Sequence, residues 1–264
     1  MIRITGPYGR TRLKKSERRQ QIQLELKLHP HVRISTLADR FGVSTETIRR
    51  DFDNLSEDGL ICRAHGGASA PVQGRFPSLD ERSTARIVER ERIGRAAAKL
   101  VRDGETVMID SGSTTIQMAR SLAYFGTRCT VITNSVPVAI TLGHGATKVL
   151  LCPGEYLPAE SALVGDDTVK YLKRFNVDRC MIGASGLSTE GPSECVRGFA
   201  AIKRTMLSRS EQSHLLIDSE KFERKGLSRV GKLKRFDSIV ADREPRSKLA
   251  NALKSAHVEL LLAS

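Results

Sequence analysis

Residues 34–68 read ISTLADRFGVSTETIRRDFDNLSEDGLICRAHGGA, and the pattern of this stretch decides how the N-terminal quarter of the chain folds. Ile34, Leu37, Ala38 and Phe41 recur at helical spacing, Gly42 breaks that helix, and Ser44 opens a second one as a side-chain N-cap. In the second helix Ile48, Phe52 and Leu55 share one apolar face at about 100° per residue. Glu46, Arg50 and Asp53 point the opposite way, with Thr45 and Arg49 on the flanks. Gly59 suits the C′ position that ends a helix. Leu60, Ile61 and Arg63 then suggest a strand turning at His65-Gly66-Gly67. The sum is a winged helix-turn-helix.

Such a recognition helix sets its N-terminal residues on major-groove base edges and its cations on phosphates. Ser44, Thr45, Thr47, Arg49 and Arg50 are the candidates for its DNA-facing end, with Arg63 and His65 on the backbone or minor groove. The alternative is a protein-interaction hairpin whose arginines are merely solvated. Cap, glycine break, adjacent arginines and glycine hairpin occurring in this order favour DNA. Glu46 and Asp51 are acidic beside the groove: they orient the arginines, or Asp51 pairs with a neighbour and leaves the DNA alone.

The run Ser-x-x-Thr-Ile-Arg-Arg-Asp from Ser44 and the closing Arg-x-His-Gly-Gly-Ala from Arg63 resemble the N-terminal signature of the DeoR family of bacterial transcription regulators. Phe52 stands where Leu is usual, a core exchange that leaves DNA reading untouched.

At 264 residues the chain is long enough for two domains, and a net charge of +13 suits a polyanionic partner. Arg3, Arg10, Arg12, Lys14, Lys15, Arg18 and Arg19 face only Glu17 among the first residues: an arm lying along phosphates, or a disordered leader. Lacking a membrane-length apolar run or a signal-peptide core, the protein is expected in the cytoplasm. Five scattered cysteines read as reduced core residues, and the spacing of Cys and His predicts no metal site. No cofactor is expected either. Gly226 to Leu233 nearly matches a phosphate-binding loop, but Leu233 replaces the required Ser or Thr and no strand precedes it. This basic segment is a solvated loop or a second phosphate-contacting surface.

Residues 16–28 predict a first helix with Ile22, Leu24, Leu26 and Leu28 as its apolar surface, ended by His29-Pro30. The DNA-binding domain is assigned to 13–70, a Pro-, Gly- and Ser-rich linker to 71–81, and the remaining domain to 82–264. The latter begins with a helical stretch over 82–101. From Thr106 onward, short apolar runs alternate with amphipathic segments, including helices over 161–175 and 194–210. That alternation implies an α/β domain with a mostly parallel sheet.

Ligands of such sheets collect at the carboxyl ends of the strands. There stand Asp110-Ser111-Gly112-Ser113-Thr114-Thr115, Thr133-Asn134-Ser135, Gly154-Glu155, Gly183-Ala184-Ser185-Gly186 and Asp218-Ser219-Glu220-Lys221. Hydroxyls, exposed N–H groups and helix N-termini favour an anion, and a phosphate cradled by Gly112 to Thr115 is the expectation. Asp110, Asn134, Glu155, Glu194 and Lys203 would read hydroxyls, with Lys221 as a second cation. Read singly, each turn is only a helix start; several on one sheet edge make a site.

These turns also look like landmarks of the DeoR effector-binding domain. The resemblance implies a Rossmann-like fold similar to ribose-5-phosphate isomerase, and a phosphorylated sugar or polyol as effector. It further implies a homo-oligomer, dimer or tetramer, on operator DNA. Where that family commonly has Gly-Gly, this chain has Pro153-Gly154-Glu155, and a carboxylate there would repel a second anion or bind a hydroxyl. The competing reading is a sugar-phosphate isomerase carrying a DNA-binding module. Against it, Ala184-Ser185-Gly186 after Met181-Ile182-Gly183 supplies no acid–base pair at the strand end, although Glu190 and Glu194 lie farther on.

Overall fold

The computed structural model describes residues 14–28, 31–57, 62–64, 67–69, 78–196 and 198–263. The chain divides into two compact units, Met1–Arg75 and Phe76–Ser264. Of the sequence expectations, the arm before Lys14, the helix stop at His29-Pro30, Gly59, Leu60, Ile61, His65, Gly66 and the linker over 71–77 lie outside the described residues.

The first unit comprises α1 (Lys15–Leu28), β1 (His31–Arg33), α2 (Ile34–Phe41), α3 (Thr45–Glu57), β2 (Cys62–Ala64) and β3 (Gly67–Ser69). β3 pairs antiparallel with both β1 and β2, so a strand between α1 and α2 completes the wing sheet. Its core is Ile22, Val32, Ile34, Leu37, Ala38, Ile48, Phe52 and Leu55. Gly42 caps α2 at φ 63°, a left-handed conformation that glycine adopts without steric penalty. Helix α1 departs from expectation. Among its described side chains Arg18, Ile22 and Glu25 are buried while Leu24 is 47% exposed, and the side chains of Leu26 and Leu28 lie outside those described. Positions 18, 22 and 25 follow helical spacing, and Leu24 falls about 160° around the helix from Ile22. Arg18 and Arg19 therefore belong to a folded helix: both pair with Asp51 of α3, at 2.5 and 3.3 Å.

The second unit opens with α4 (Leu79–Thr84) and α5 (Ile87–Ala98), separated at Arg86, whose φ of 48° interrupts the single helix expected over 82–101. Residues 79–81, expected in the linker, are helical, and Ser78 and Glu81 form a capping box. There follow β4 (Thr106–Ile109), α6 (Ser113–Phe125), β5 (Thr130–Thr133), α7 (Val136–Leu142), β6 (Lys148–Leu151), β7 (Glu155–Leu157), β8 (Ala162–Val164) and α8 (Asp166–Leu172). The chain continues through β9 (Val177–Ile182), β10 (Gly186–Ser188), β11 (Gly191–Glu194), α9 (Phe199–Ser208) and β12 (Ser210–Leu216). It ends with β13 (Ser228–Arg229), β14 (Ser238–Ala241), α10 (Ser247–Ser255) and β15 (Glu259–Leu262).

Seven strands form one parallel sheet in the order β15-β14-β12-β9-β4-β5-β6. Alternate strand residues feed two cores. Met108, Cys180, Ile182 and Leu215 meet Phe199, Ile202, Met206 and Leu253 on one face. Val107, Ile109, Met181 and Leu216 meet Ile93, Met118, Leu122 and Leu142 on the other. From β4 the chain builds outward through β5 and β6, then returns to place β9 on β4's other side. The topological switch point, where a crevice opens, thus lies beyond the carboxyl ends of β4 and β9.

Two expected helices are shorter than the sequence suggests. Ala162–Val164 is a strand paired with Glu155–Leu157, and α8 starts only after Gly165. Glu194 ends β11 of a small antiparallel sheet, β10-β11-β13, and α9 begins at Phe199. No helix among the described residues is long and apolar enough to cross a membrane.

Candidate functional site

The first candidate surface is the N-terminal half of α3. Ser44 accepts a hydrogen bond from the Thr47 N–H at 3.2 Å, and its hydroxyl lies 2.9 Å from that of Thr47. With Ile48, Phe52 and Leu55 buried, Ser44, Thr45, Glu46, Arg49 and Arg50 are left exposed. The side chains of Arg49 and Arg50 are 57% and 77% exposed, and Glu46 lies 3.7 and 3.4 Å from them. Glu46 therefore orients the arginines, whereas buried Asp51 is turned inward onto Arg18 and Arg19. Arg63 is placed in β2 opposite Ala68.

The second candidate is a partly open pocket at the switch point. Its walls come from the β4–α6 turn (Ser111 to Thr115), the β9–β10 turn (Gly183 to Ser185), Glu194, Phe199 and Lys203, with Lys221, Arg82 and Glu160 completing it. Lys203, only 4% exposed, lies 2.6 Å from Asp110 and 2.6 Å from Glu194, and donates to the Gly183 carbonyl at 2.8 Å. Asp110 also accepts from the Gly183 N–H at 3.0 Å, tying the ends of β4 and β9 together. The second oxygen of Glu194 accepts from Ser185 Oγ at 2.6 Å.

One ammonium here serves two buried carboxylates. Burial drives the Asp110 pKa above its ordinary value, and Lys203 offsets this only in part. For Lys203 burial acts against the charge, but Asp110 and Glu194 outweigh it and hold its pKa above that of a free lysine. Arg82 of α4 pairs with Glu160, which sits in a 3-10 turn at Pro158–Glu160 and whose pKa burial raises despite that partner. Lys221 donates to the Ala184 carbonyl at 2.9 Å and has Asp218 at 3.9 Å. Burial pulls its pKa down to about 8.

At the start of α6, Thr115 Oγ1 donates to the carbonyls of Asp110 and Gly112, both at 3.0 Å. Ser113 Oγ is buried with no hydrogen-bond partner among the described residues, as is Asp110 Oδ1. A helix N-terminus, an unsatisfied hydroxyl and a buried lysine lining one cavity can receive an oxyanion.

The other expected site residues lie elsewhere. Thr133 Oγ1 accepts from the Ser135 N–H, Ser135 caps α7, and Asn134 Nδ2 donates to the Leu163 carbonyl. None of the three lines the pocket, and all are engaged in holding the β5–α7 turn. Gly186 is also outside: a Cβ there would come within 2.5 Å of the Arg224 carbonyl oxygen, so its role is close packing. Glu155 is exposed on β7 and does not line the pocket; the carboxylate at that position of the site is Glu160. The basic segment after Phe222 is a strap. Ser228 pairs with Glu194, and a Cβ on Gly226 would meet the Glu194 backbone at 2.7 Å.

The model of the DeoR-like helix-turn-helix domain matches residues 18–73, and that of the DeoR C terminal sensor domain matches residues 85–243. The chain belongs to the DeoR family. It is 29% identical over 252 residues to the glycerol-3-phosphate regulon repressor of Escherichia coli, covering 95% of this chain and 100% of that protein. It is 30% identical over 237 residues to the lactose phosphotransferase system repressor of Lactococcus lactis, covering 88% and 92%. Among solved structures, a ribose 5-phosphate isomerase A from Methanocaldococcus jannaschii is similar at 16% identity and a TM-score of 0.38, covering 50% of this chain and 53% of that one. Within this DeoR-family chain, helix α3 falls inside the helix-turn-helix match and most of the pocket inside the sensor match, whereas Arg82 precedes the latter.

Arg82, Glu160 and Phe199 line the pocket without having been legible as site residues. Arg82 and Glu160 are 78 positions apart in sequence and meet only in the fold. Phe199 carried a weak signal, since an apolar residue four positions before Lys203 is on the same helix face.

Proposed function

We propose that the protein is a transcriptional repressor of a carbohydrate or polyol catabolic operon, released from its operator by a phosphorylated sugar-like effector. The DNA-facing residues in this reading are Ser44, Thr45, Thr47, Arg49 and Arg50, with Arg63 and His65 on the wing. The effector sits at Ser111 to Thr115, Gly183 and Ser185, under Lys203, Glu194 and Lys221. The observation that carries the sensor half is the pocket itself: a partly open site at the switch point combining the α6 N-terminus, an unsatisfied Ser113 hydroxyl and half-buried Lys221. The relatives named as a glycerol-3-phosphate regulon repressor and a lactose phosphotransferase system repressor support the same class of ligand. The protein works in the cytoplasm as a dimer or tetramer, because one small winged helix offers limited contact area and paired half-sites supply the rest.

An isomerase reading gains something from Glu194 lying in the pocket. Both of its oxygens are committed, however, one to Lys203 and one to Ser185, which leaves no oxygen idle to take a substrate proton. Selection of duplexes from a randomised pool, followed by anisotropy titration with and without phosphorylated sugars and polyols, tests the proposal. Sequence-independent binding, or binding that none of these compounds alters, would overturn it. Turnover of a pentose phosphate would establish the isomerase instead.

A further inference from the structure

The charges lining the pocket are almost all spoken for. Lys203 is held between Asp110 and Glu194, and Arg82 is held by Glu160. Lys221 differs: no carboxylate oxygen among the described residues lies nearer to it than Asp218 at 3.9 Å. One cation without a close counter-charge, one unsatisfied hydroxyl on Ser113 and one helix start provide for one anionic group. The other acceptors lining the cavity are the carboxylates of Glu160 and Glu194; Glu194 is engaged by Lys203 and Ser185, and Glu160 can accept hydrogen bonds from hydroxyls and repel negative charge.

Glu160 is held in place by its backbone as well as by Arg82. Its own carbonyl accepts from Ser111 Oγ at 3.4 Å. The next residue, Ser161, sits at φ 46°, a left-handed conformation uncommon for a residue other than glycine, and its carbonyl accepts from the Val136 N–H at 3.1 Å. Strain of this kind concentrates where a side chain has to be presented in one position.

We propose that Glu160 is the specificity-determining residue of this pocket and restricts its ligand to a hydroxyl-rich compound carrying a single anionic group. This rests on reading the pocket as the sensor site. With Glu160 neutralising Arg82, a ligand bearing a second phosphate or a carboxylate finds no cation for it and faces Glu160 and Glu194. Replacing Glu160 by glutamine keeps the side-chain shape and removes the negative charge that a second anion faces.

The test compares ligands of matched size on the full chain: glycerol 3-phosphate against 3-phosphoglycerate, and fructose 6-phosphate against fructose 1,6-bisphosphate, by calorimetry, with inorganic phosphate alongside. The wild type is expected to prefer the singly anionic member of a pair by about tenfold or more, and Glu160→Gln to abolish or reverse that preference. Equal affinity within the pairs in the wild type overturns the proposal, whether or not the variant folds. So does a folded variant that keeps the wild-type preference. Failure of inorganic phosphate and all four compounds to bind overturns the sensor reading itself, a different result from binding without discrimination.

Discussion

Lys203→Met exposes what holds the pocket together. The ammonium is 4% exposed and lies 2.6 Å from each of two carboxylates that are themselves almost wholly buried, so methionine fills much of the volume but leaves Asp110 and Glu194 without their cation. Breaking a buried pair by removing one partner costs about 3–5 kcal/mol, because the remaining charge stays desolvated. For a unit the size of Phe76–Ser264, each kcal/mol moves the melting temperature by about 2–4 °C, which predicts a fall of about 6–20 °C. The loss is large yet within the usual net stability of about 5–15 kcal/mol, so the variant remains measurable.

The pH dependence gives this prediction its sign. In the native wild type burial already raises the Asp110 pKa. Without Lys203 the Asp110 carboxyl rises further above its unfolded value, the native state then binds more protons than the unfolded one, and stability falls as pH rises. The variant should therefore recover part of its loss between about pH 8 and about pH 5. The chain has no tryptophan, and Tyr124, Tyr156 and Tyr171 lie in the second unit, so near-ultraviolet circular dichroism of tyrosine is a suitable probe of melting. Adding Glu194→Gln should restore part of the stability. A variant that melts like the wild type at both pH values, or a double variant no better than the single, would refute the account.

Arg50→Ala should leave stability nearly unchanged, since the side chain is 77% exposed, while costing about 1–3 kcal/mol of operator affinity and relaxing preference at one base if Arg50 reads it. A uniform loss across sequences with a salt slope reduced by about one would make it a phosphate contact, and no loss in a gel-shift titration would remove α3 from the interface. Ser113→Ala with Thr114→Ala should preserve DNA affinity and weaken effector binding, so that the coupling of about 1–3 kcal/mol between effector and operator fades; calorimetry showing full effector affinity would place the site elsewhere. Because burial lowers the Lys221 pKa to about 8, its ammonium is lost as pH rises through that value, and affinity for a phosphorylated ligand should drop there. Lys221→Met should flatten the profile, and an unchanged pH dependence would exclude Lys221 as the cation.

Much of the fold was legible because it rests on local signals. Gly42, the Ser44 cap and the 48-52-55 stripe set the two motif helices, and buried strands such as Val107 to Ile109 announce a parallel sheet by near-continuous apolarity. The failures come where local pattern is ambiguous. In helix α1 Leu24 faces solvent, and ion pairs from Arg18 to Asp51 and from Arg40 to Glu25 help orient the helix. Those pairs span elements, so periodicity within one helix cannot reveal them. The short hairpin Glu155–Leu157 with Ala162–Val164 was hidden for a related reason: three-residue strands carry too little alternation to be told from the start of a helix.

The site divides along the same line. Residues contributed by strand-to-helix turns, Ser111 to Thr115 and Gly183 to Ser185, could be placed because topology alone sends those turns to one edge. Arg82 and Glu160, which reach the pocket from elements far apart in sequence, could not. Glu194 and Lys203 were expected at the site but on one helix over 194–210, whereas a turn after Glu194 leaves the carboxylate at the end of β11 and the ammonium within α9, and the two meet at 2.6 Å. Glu155 and Glu160 show how small the difference is. Both follow Gly154 within six positions, and the sequence offers no reason to choose between them. The hairpin decides it: β7 leaves Glu155 in solvent, the 3-10 turn after Pro158 carries Glu160 inward, and Arg82 fixes it there. A carboxylate at this edge of the pocket is thus a property of the β7–β8 connection, so ligand choice among relatives should follow the length and turn geometry of that connection more closely than the residue after Gly154.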